Sequence, residues 1–146
     1  GGTVKIIIIT SEFKAPSTVL TDSVQTAIDP VVNAGEGEGV APIGHVVNVE
    51  GVQNYRIDIA LNLVYKEGYT YAGLERNIKE SIDAYFVELA KTWPENDNLI
   101  VRVSQIEARL LMIDGILDVD SIKLNNASEN IILSYNEIPL RGDVNV

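Results

Sequence analysis

Four glycines punctuate the segment Gly35-Glu36-Gly37-Glu38-Gly39-Val40-Ala41-Pro42-Ile43-Gly44. Glycine-rich loops cradle phosphates when their backbone N–H groups open a helix and a cation stands close by. This loop has no Lys or Arg, carries two carboxylates and runs into the β-branched stretch Val46-Val47-Asn48-Val49. It therefore argues against phosphate binding. Three other readings are open to it. Glu36 and Glu38 could hold a metal with Asp29. The two carboxylates could keep a soluble connector extended by repulsion, which is the favoured reading. Or the loop could be ordered only against another subunit, because fixing free glycine-rich backbone is entropically costly.

The remaining candidate chemistry is sparse. His45, the single histidine, could act as a general base oriented by Glu50 or Asp58. No nucleophile elbow accompanies it, so a strand-start residue facing solvent is the simpler reading. Asp114, Asp118 and Asp120 offer carboxylate oxygens to a calcium ion. Their spacing departs from the EF-hand pattern, and carboxylates flanking an edge strand explain them better. Tyr65, Tyr69 and Tyr71 gather where a long strand gives way to a long helix. Tyr69 and Tyr71 are candidate interface aromatics, or else they close the turn while Tyr65 joins a buried face. Arg141-Gly142-Asp143 matches a tripeptide read by adhesion receptors, but a terminal turn accounts for it.

Composition narrows the classes further. The 146 residues form one domain or two small ones and can bury a real core. There is no cysteine, which removes thiol nucleophiles, thiolate metal sites and disulfides. A formal charge of −10 makes nucleic acid an unfavourable partner. The longest apolar run, Ile6-Ile7-Ile8-Ile9, is far too short to cross a bilayer. No signal peptide and no initiator Met are visible, so the chain reads as a piece of a longer protein. No cofactor, small-molecule substrate or catalytic role is expected.

The elements that would position these residues follow from periodicity. Residues 3–10 read as a strand buried on both faces. Ser17 caps a helix carrying Leu20, Val24 and Ile28, which Pro30 stops. A strand from about 45 to 50 and the alternating run 55–66 predict an antiparallel hairpin. Leu74, Ile78, Ile82, Tyr85, Phe86, Leu89 and Trp93 stripe a helix from Tyr71 to about Thr92, capped by Thr70. Ser104-Gln105-Ile106-Glu107 reads as a capping box opening a third helix, with Gly115 at its C′ position. Residues 118–124 and 131–135 read as a hairpin, and Pro139 predicts an edge or a bend. The expected class is α+β. Residues 1–95 form a split β-α-β module of ferredoxin-like order that includes the 35–44 connector, and residues 96–146 add a helix and a β-hairpin.

The order of several segments resembles a known family. They are Gly2-Thr3-Val4, Val24 to Pro30, Gly37 to Val49, the long alternating strand, Ile78 to Leu89 with Ala84-Tyr85-Phe86, and Ser104-Gln105-Ile106 leading to Ile113-Asp114-Gly115-Ile116-Leu117-Asp118-Val119. Together they resemble the C-terminal region of baseplate J-like proteins, wedge components of contractile phage tails and phage-tail-like particles. Ile116 stands where the family often has Val. The resemblance covers nearly the whole chain. It implies a structural, non-catalytic wedge module in a virion tail baseplate, made in the bacterial host cytoplasm. Its implied partners are other baseplate proteins and copies of itself, with no membrane insertion. It carries no catalytic, cofactor or metal residues. Within that reading, Gly35, Glu36, Gly37, Glu38, Gly39, Pro42 and Gly44 form a candidate hinge or interface loop. A small-metabolite-binding or regulatory α+β domain is the alternative.

Overall fold

The computed structural model describes residues 2–146. Helices and strands are mixed throughout, as an α+β chain requires. The chain divides into two compact units after Gln53.

The first unit holds β1 (Gly2–Ile8), α1 (Thr18–Ile28) and β2 (His45–Gly51). β1 and β2 pair in parallel, Gly2 opposite His45 through Ile8 opposite Gly51. Parallel neighbours need a crossover, and α1 supplies it. Ser17 caps α1 by accepting from Leu20 N at 3.2 Å, as its side-chain oxygen and position predict. Val24 and Ile28 on α1 pack with Ile6 and Ile8 on β1 against a small core of Ala41, Val47 and Val49. Within this unit α1 packs against the sheet. No residue of β1 is buried, so the expectation of a strand enclosed on both faces fails for this chain.

The expected 45–50/55–66 hairpin does not form. Only Val52 separates β2 from β3 (Gln53–Tyr65), and a chain reversal needs about two loop residues. Val52 is buried and donates to Ile8 O at 2.9 Å, extending the contact with β1 instead of turning back. β1 and β2 thus form one sheet and β3 enters another, so among the described residues no single ferredoxin-like sheet joins them.

The second unit centres on the strand order β5-β3-β7, with β5 at Ile116–Leu124 and β7 at Glu137–Asn145. β3 alternates as predicted: Ile57, Ile59 and Leu61 are buried, while Arg56 and Asn62 are exposed. Helix α2 (Tyr71–Lys91) buries Leu74, Ile78, Ile82, Tyr85 and Phe86. Its polar side carries the pairs Lys79–Glu75 at 2.7 Å and Arg76–Glu80 at 2.9 Å. α2 packs on β7 and on α3 (Val103–Leu111), and α3 packs on β5. A separate two-stranded pair joins β4 (Ile100–Val101) to β6 (Ile131–Ile132).

Three local features differ from expectation. Helix α3 starts at Val103, so Ser104 lies inside it and makes no cap; Asn130 Oδ1 takes the Val103 N–H at 2.9 Å instead. Gly115 is not the C′ residue but the third position of a turn in which Ile116 donates to Ile113 O at 3.2 Å. β5 and β6 do not pair as a hairpin, because β5 is matched to β3 and β6 to β4. Pro139 does sit in an edge strand, since β7 ends the sheet order.

Candidate functional site

The glycine loop is a folded structure rather than an extended connector. Its scaffold is the end of α1. The last carbonyls of a helix lack intrahelical partners, and here the loop supplies them. Val40 donates to Ala27 O at 3.2 Å and Ala41 to Ile28 O at 2.9 Å. Gly39 makes this approach feasible: a Cβ there would stand 2.4 Å from Ile28 O and 2.7 Å from Ala27 O. The loop then closes on itself, with Gly44 N donating to Gly35 O at 2.7 Å.

Asp29 anchors the arrangement. It is 1% exposed, the one buried charged residue among those described. Its Oδ1 accepts from Gly35 N and its Oδ2 from Val47 N, both at 2.9 Å. These two N–H bonds hold its pKa below the ordinary carboxylate value, outweighing the opposing effect of burial. One turn earlier on α1, Gln25 completes the grip. Its Nε2 donates to Asp29 O and to Val47 O, and its Oε1 accepts from Val49 N, each at 2.7 Å. The edge of β2 that faces away from β1 is thereby occupied by side chains of one helix.

This geometry overturns the metal reading of the loop. Asp29 turns inward to backbone N–H groups, Glu36 is exposed, and Glu38 accepts from Asn33 Nδ2 at 2.8 Å. No group of three potential metal ligands gathers among the described residues. The extended-connector reading fails too, because helix carbonyls and the Asp29 carboxylate tether the loop more strongly than two exposed carboxylates repel across water. Gly35, Gly37, Pro42 and Gly44 lie in that tethered segment, and Gly39 is its contact with the helix.

Ala41 of this loop is buried, but Val40 and Ile43, and Val31 and Val32 just before the loop, are exposed. Val31 is 78% exposed, Val32 75%, Val40 82% and Ile43 79%. Val40 and Ile43 thus stand exposed on a loop that the end of α1 holds in place.

Elsewhere the candidate residues serve the fold. His45 is exposed at the start of β2, and Glu50 at the far end of that strand pairs with Lys5 at 3.0 Å. Asp58 accepts from Arg56 Nε at 3.2 Å and from Asp143 N at 2.8 Å. Tyr69 is 40% exposed and donates to Asp114 Oδ2 at 3.2 Å, a bond that raises its pKa. Its ring lies against Gly115, where a Cβ would come within 2.3 Å. Lys66 also reaches Asp114, at 3.7 Å, so Asp114 is engaged by this turn, while Asp118 caps its neighbour Val119 N at 2.9 Å. Tyr71 OH donates to Val144 O at 3.5 Å. Tyr65 is half-buried, and burial raises its pKa.

Arg141-Gly142-Asp143 lies within β7, not in a turn between two strands. The Arg141 guanidinium grips Asp83 through Nε–Oδ1 at 2.7 Å and Nη2–Oδ2 at 3.2 Å, so the tripeptide is not displayed as a flexible loop. Arg109 sits 4.8 Å over the Tyr85 ring and pairs with Glu88, which holds the Glu88 carboxyl below its usual range. Tyr85 OH accepts from Arg102 N at 3.0 Å, tying α2 to the start of α3. No described helix is long and apolar enough to cross a membrane.

The residue that sequence reasoning missed is Gln25. Its signal was present as Gln25 and Asp29 four apart, on one side of α1 and just before Pro30.

The family model for the baseplate J-like protein C-terminal domain matches residues 57–146. Two curated proteins of Bacillus subtilis (strain 168) are similar over nearly the whole chain: the phage-like element PBSX protein XkdT and the uncharacterized protein YqbT. Each is 32% identical over 145 residues, covering 99% of this chain and 40% of its own length.

Proposed function

The chain belongs to the baseplate J-like family, and on that premise we propose that it is a wedge assembly module of a contractile phage tail or phage-tail-like baseplate. The family supports a structural role in a phage tail. The finer reading rests on the tethered loop: Val40 and Ile43 stand exposed on it, and Val31 and Val32 are exposed just before it. A loop already held in place costs little ordering entropy when a partner covers it. The partners in this reading are other baseplate proteins and copies of the chain, located in the virion tail.

The hydrogen bonds through Asp29 and the α1 carbonyls favour a fixed interface loop over a hinge for residues 35–44. Tyr69 and Tyr71 take a secondary place as interface aromatics, because each hydroxyl already has a partner within its unit.

The test is a double substitution, Val40→Asp with Ile43→Asp, in the parent protein in a particle-producing host. The expected result is incomplete baseplates by electron microscopy, with the chain still folded because both side chains are exposed. Particles at wild-type yield would refute the interface. A small-molecule panel should leave the melting temperature unchanged, whereas a metabolite binder would be stabilised by its ligand.

A further inference from the structure

We infer that the outer edge of β1 is a strand-docking site, occupied in the assembled state by an extended segment of a different protein. This deepens the assembly reading and rests on it.

A parallel pair of strands is an incomplete sheet. Parallel sheets are normally covered on both faces, and two strands alone are marginal. Gln25 and Asp29 fill the outer edge of β2, while β1 has β2 as its single strand neighbour among the described residues.

The ladder parity fixes which groups face outward. Gly2 N donates to Gly44 O and Ile8 O accepts from Val52 N, so even-numbered residues of β1 face β2. Thr3 and Ile7 therefore turn their N–H and C=O groups away from β2. The sequence of β1 agrees with this. Residues 2–8 are rich in isoleucine, as a covered strand should be, yet none is buried and Val4 is 43% exposed.

The chemistry of the edge also selects the occupant. Ile6 and Ile8 lie on the face that packs with α1, which calls for β-branched residues on the same face of the incoming strand. Lys5 lies on the opposite face beside Glu50, which favours a carboxylate opposite it on the incoming strand. A second copy fits poorly. Antiparallel pairing of two β1 strands with full overlap sets Lys5 directly against Lys5, and each copy carries a net charge of −10.

The test uses the whole 146-residue chain and a synthetic seven-residue peptide. The peptide has valine at its odd positions, threonine at the second and sixth, and glutamate at the fourth. Because it reads the same in both directions, it can pair parallel or antiparallel. Binding in the range of about 0.1–1 mM is expected, with slowed amide exchange at Thr3 and Ile7. Two N-methylated versions, on even or on odd residues, should differ: one loses binding and the other keeps it. Thr3→Pro removes an outward N–H at the strand start, so it should weaken binding at least about tenfold with the melting temperature unchanged.

Equal binding by both N-methylated peptides would overturn the inference, as would no binding at millimolar concentration. So would amides at Thr3 and Ile7 that are already protected in the free monomer. Concentration-dependent dimerisation abolished by Thr3→Pro would make a second copy the occupant and overturn it equally. None of these readouts depends on Val40 or Ile43, so failure here is distinguishable from failure of the proposed interface loop.

Discussion

Replacing Gln25 by Ala should loosen the β2 edge selectively. Three hydrogen bonds converge on this side chain, all at 2.7 Å. A typical net contribution of about 0.5–1.5 kcal/mol per bond gives a total of roughly 1.5–4.5 kcal/mol. The site is part-buried, so water can reach some of the orphaned groups and the lower half of that range applies. A loss of about 2 kcal/mol corresponds to a roughly 30-fold change in the opening equilibrium. The assay is native-state amide exchange followed by NMR. The Val49 N–H should lose about 30-fold in protection, and exchange in α2 and β3 should stay unchanged. Gln25→Glu sharpens the test. Its carboxylate keeps the acceptor for Val49 N but faces the Val47 and Asp29 carbonyls without a proton to donate. It should resemble Gln25→Ala at neutral pH and recover in part as acid protonates the carboxyl, whose pKa the two facing carbonyls raise above the ordinary value. Unchanged Val49 protection in Gln25→Ala would show that this amide does not hold the strand edge.

The pH dependence of the first unit follows from Asp29. Its folded pKa lies below the ordinary carboxylate value, so its stabilisation is present above about pH 4 and is lost as pH falls through the lowered value. Acid titration monitored at the Gly35 and Val47 amides should show that loss, and Asp29→Asn should flatten it. Gly39→Ala places a Cβ against two backbone carbonyls, so the loop must lift and give up the Val40 and Ala41 bonds. A cost of about 1–3 kcal/mol in a denaturant melt is expected. Gly115→Ala meets the Tyr69 ring at a φ of +101°, so it should destabilise the second unit by roughly 2 kcal/mol and break the Tyr69–Asp114 bond, read out by tyrosine fluorescence.

Local signals in the sequence were legible where one element determines its own form. Ser17 and Thr70 cap α1 and α2, and the β3 alternation and α2 stripe predict the buried faces. Pairing was less legible because it depends on residues far apart in the chain. Periodicity in 45–50 and 55–66 cannot report that Val52 N–H goes to Ile8 O and carries the strand onward. The capping box failed for a similar reason: Asn130, distant in sequence, takes the N–H that starts α3. The glycine loop was visible as a loop, but its tether was not. Glycine and glutamate content describes a free chain, whereas a buried Asp29 and a helix-spaced Gln25 decide the folded one. The exposed isoleucine-rich β1 is the instructive mismatch, since its composition describes a covered strand.

The most direct measurement is a cryo-electron microscopy reconstruction of the particle built with the parent protein, at side-chain resolution around residues 31–43. The expected result is another protein chain packed on Val31, Val32, Val40 and Ile43, with the Asp29 tether intact. A loop facing open solvent in both the extended and contracted particle would contradict it.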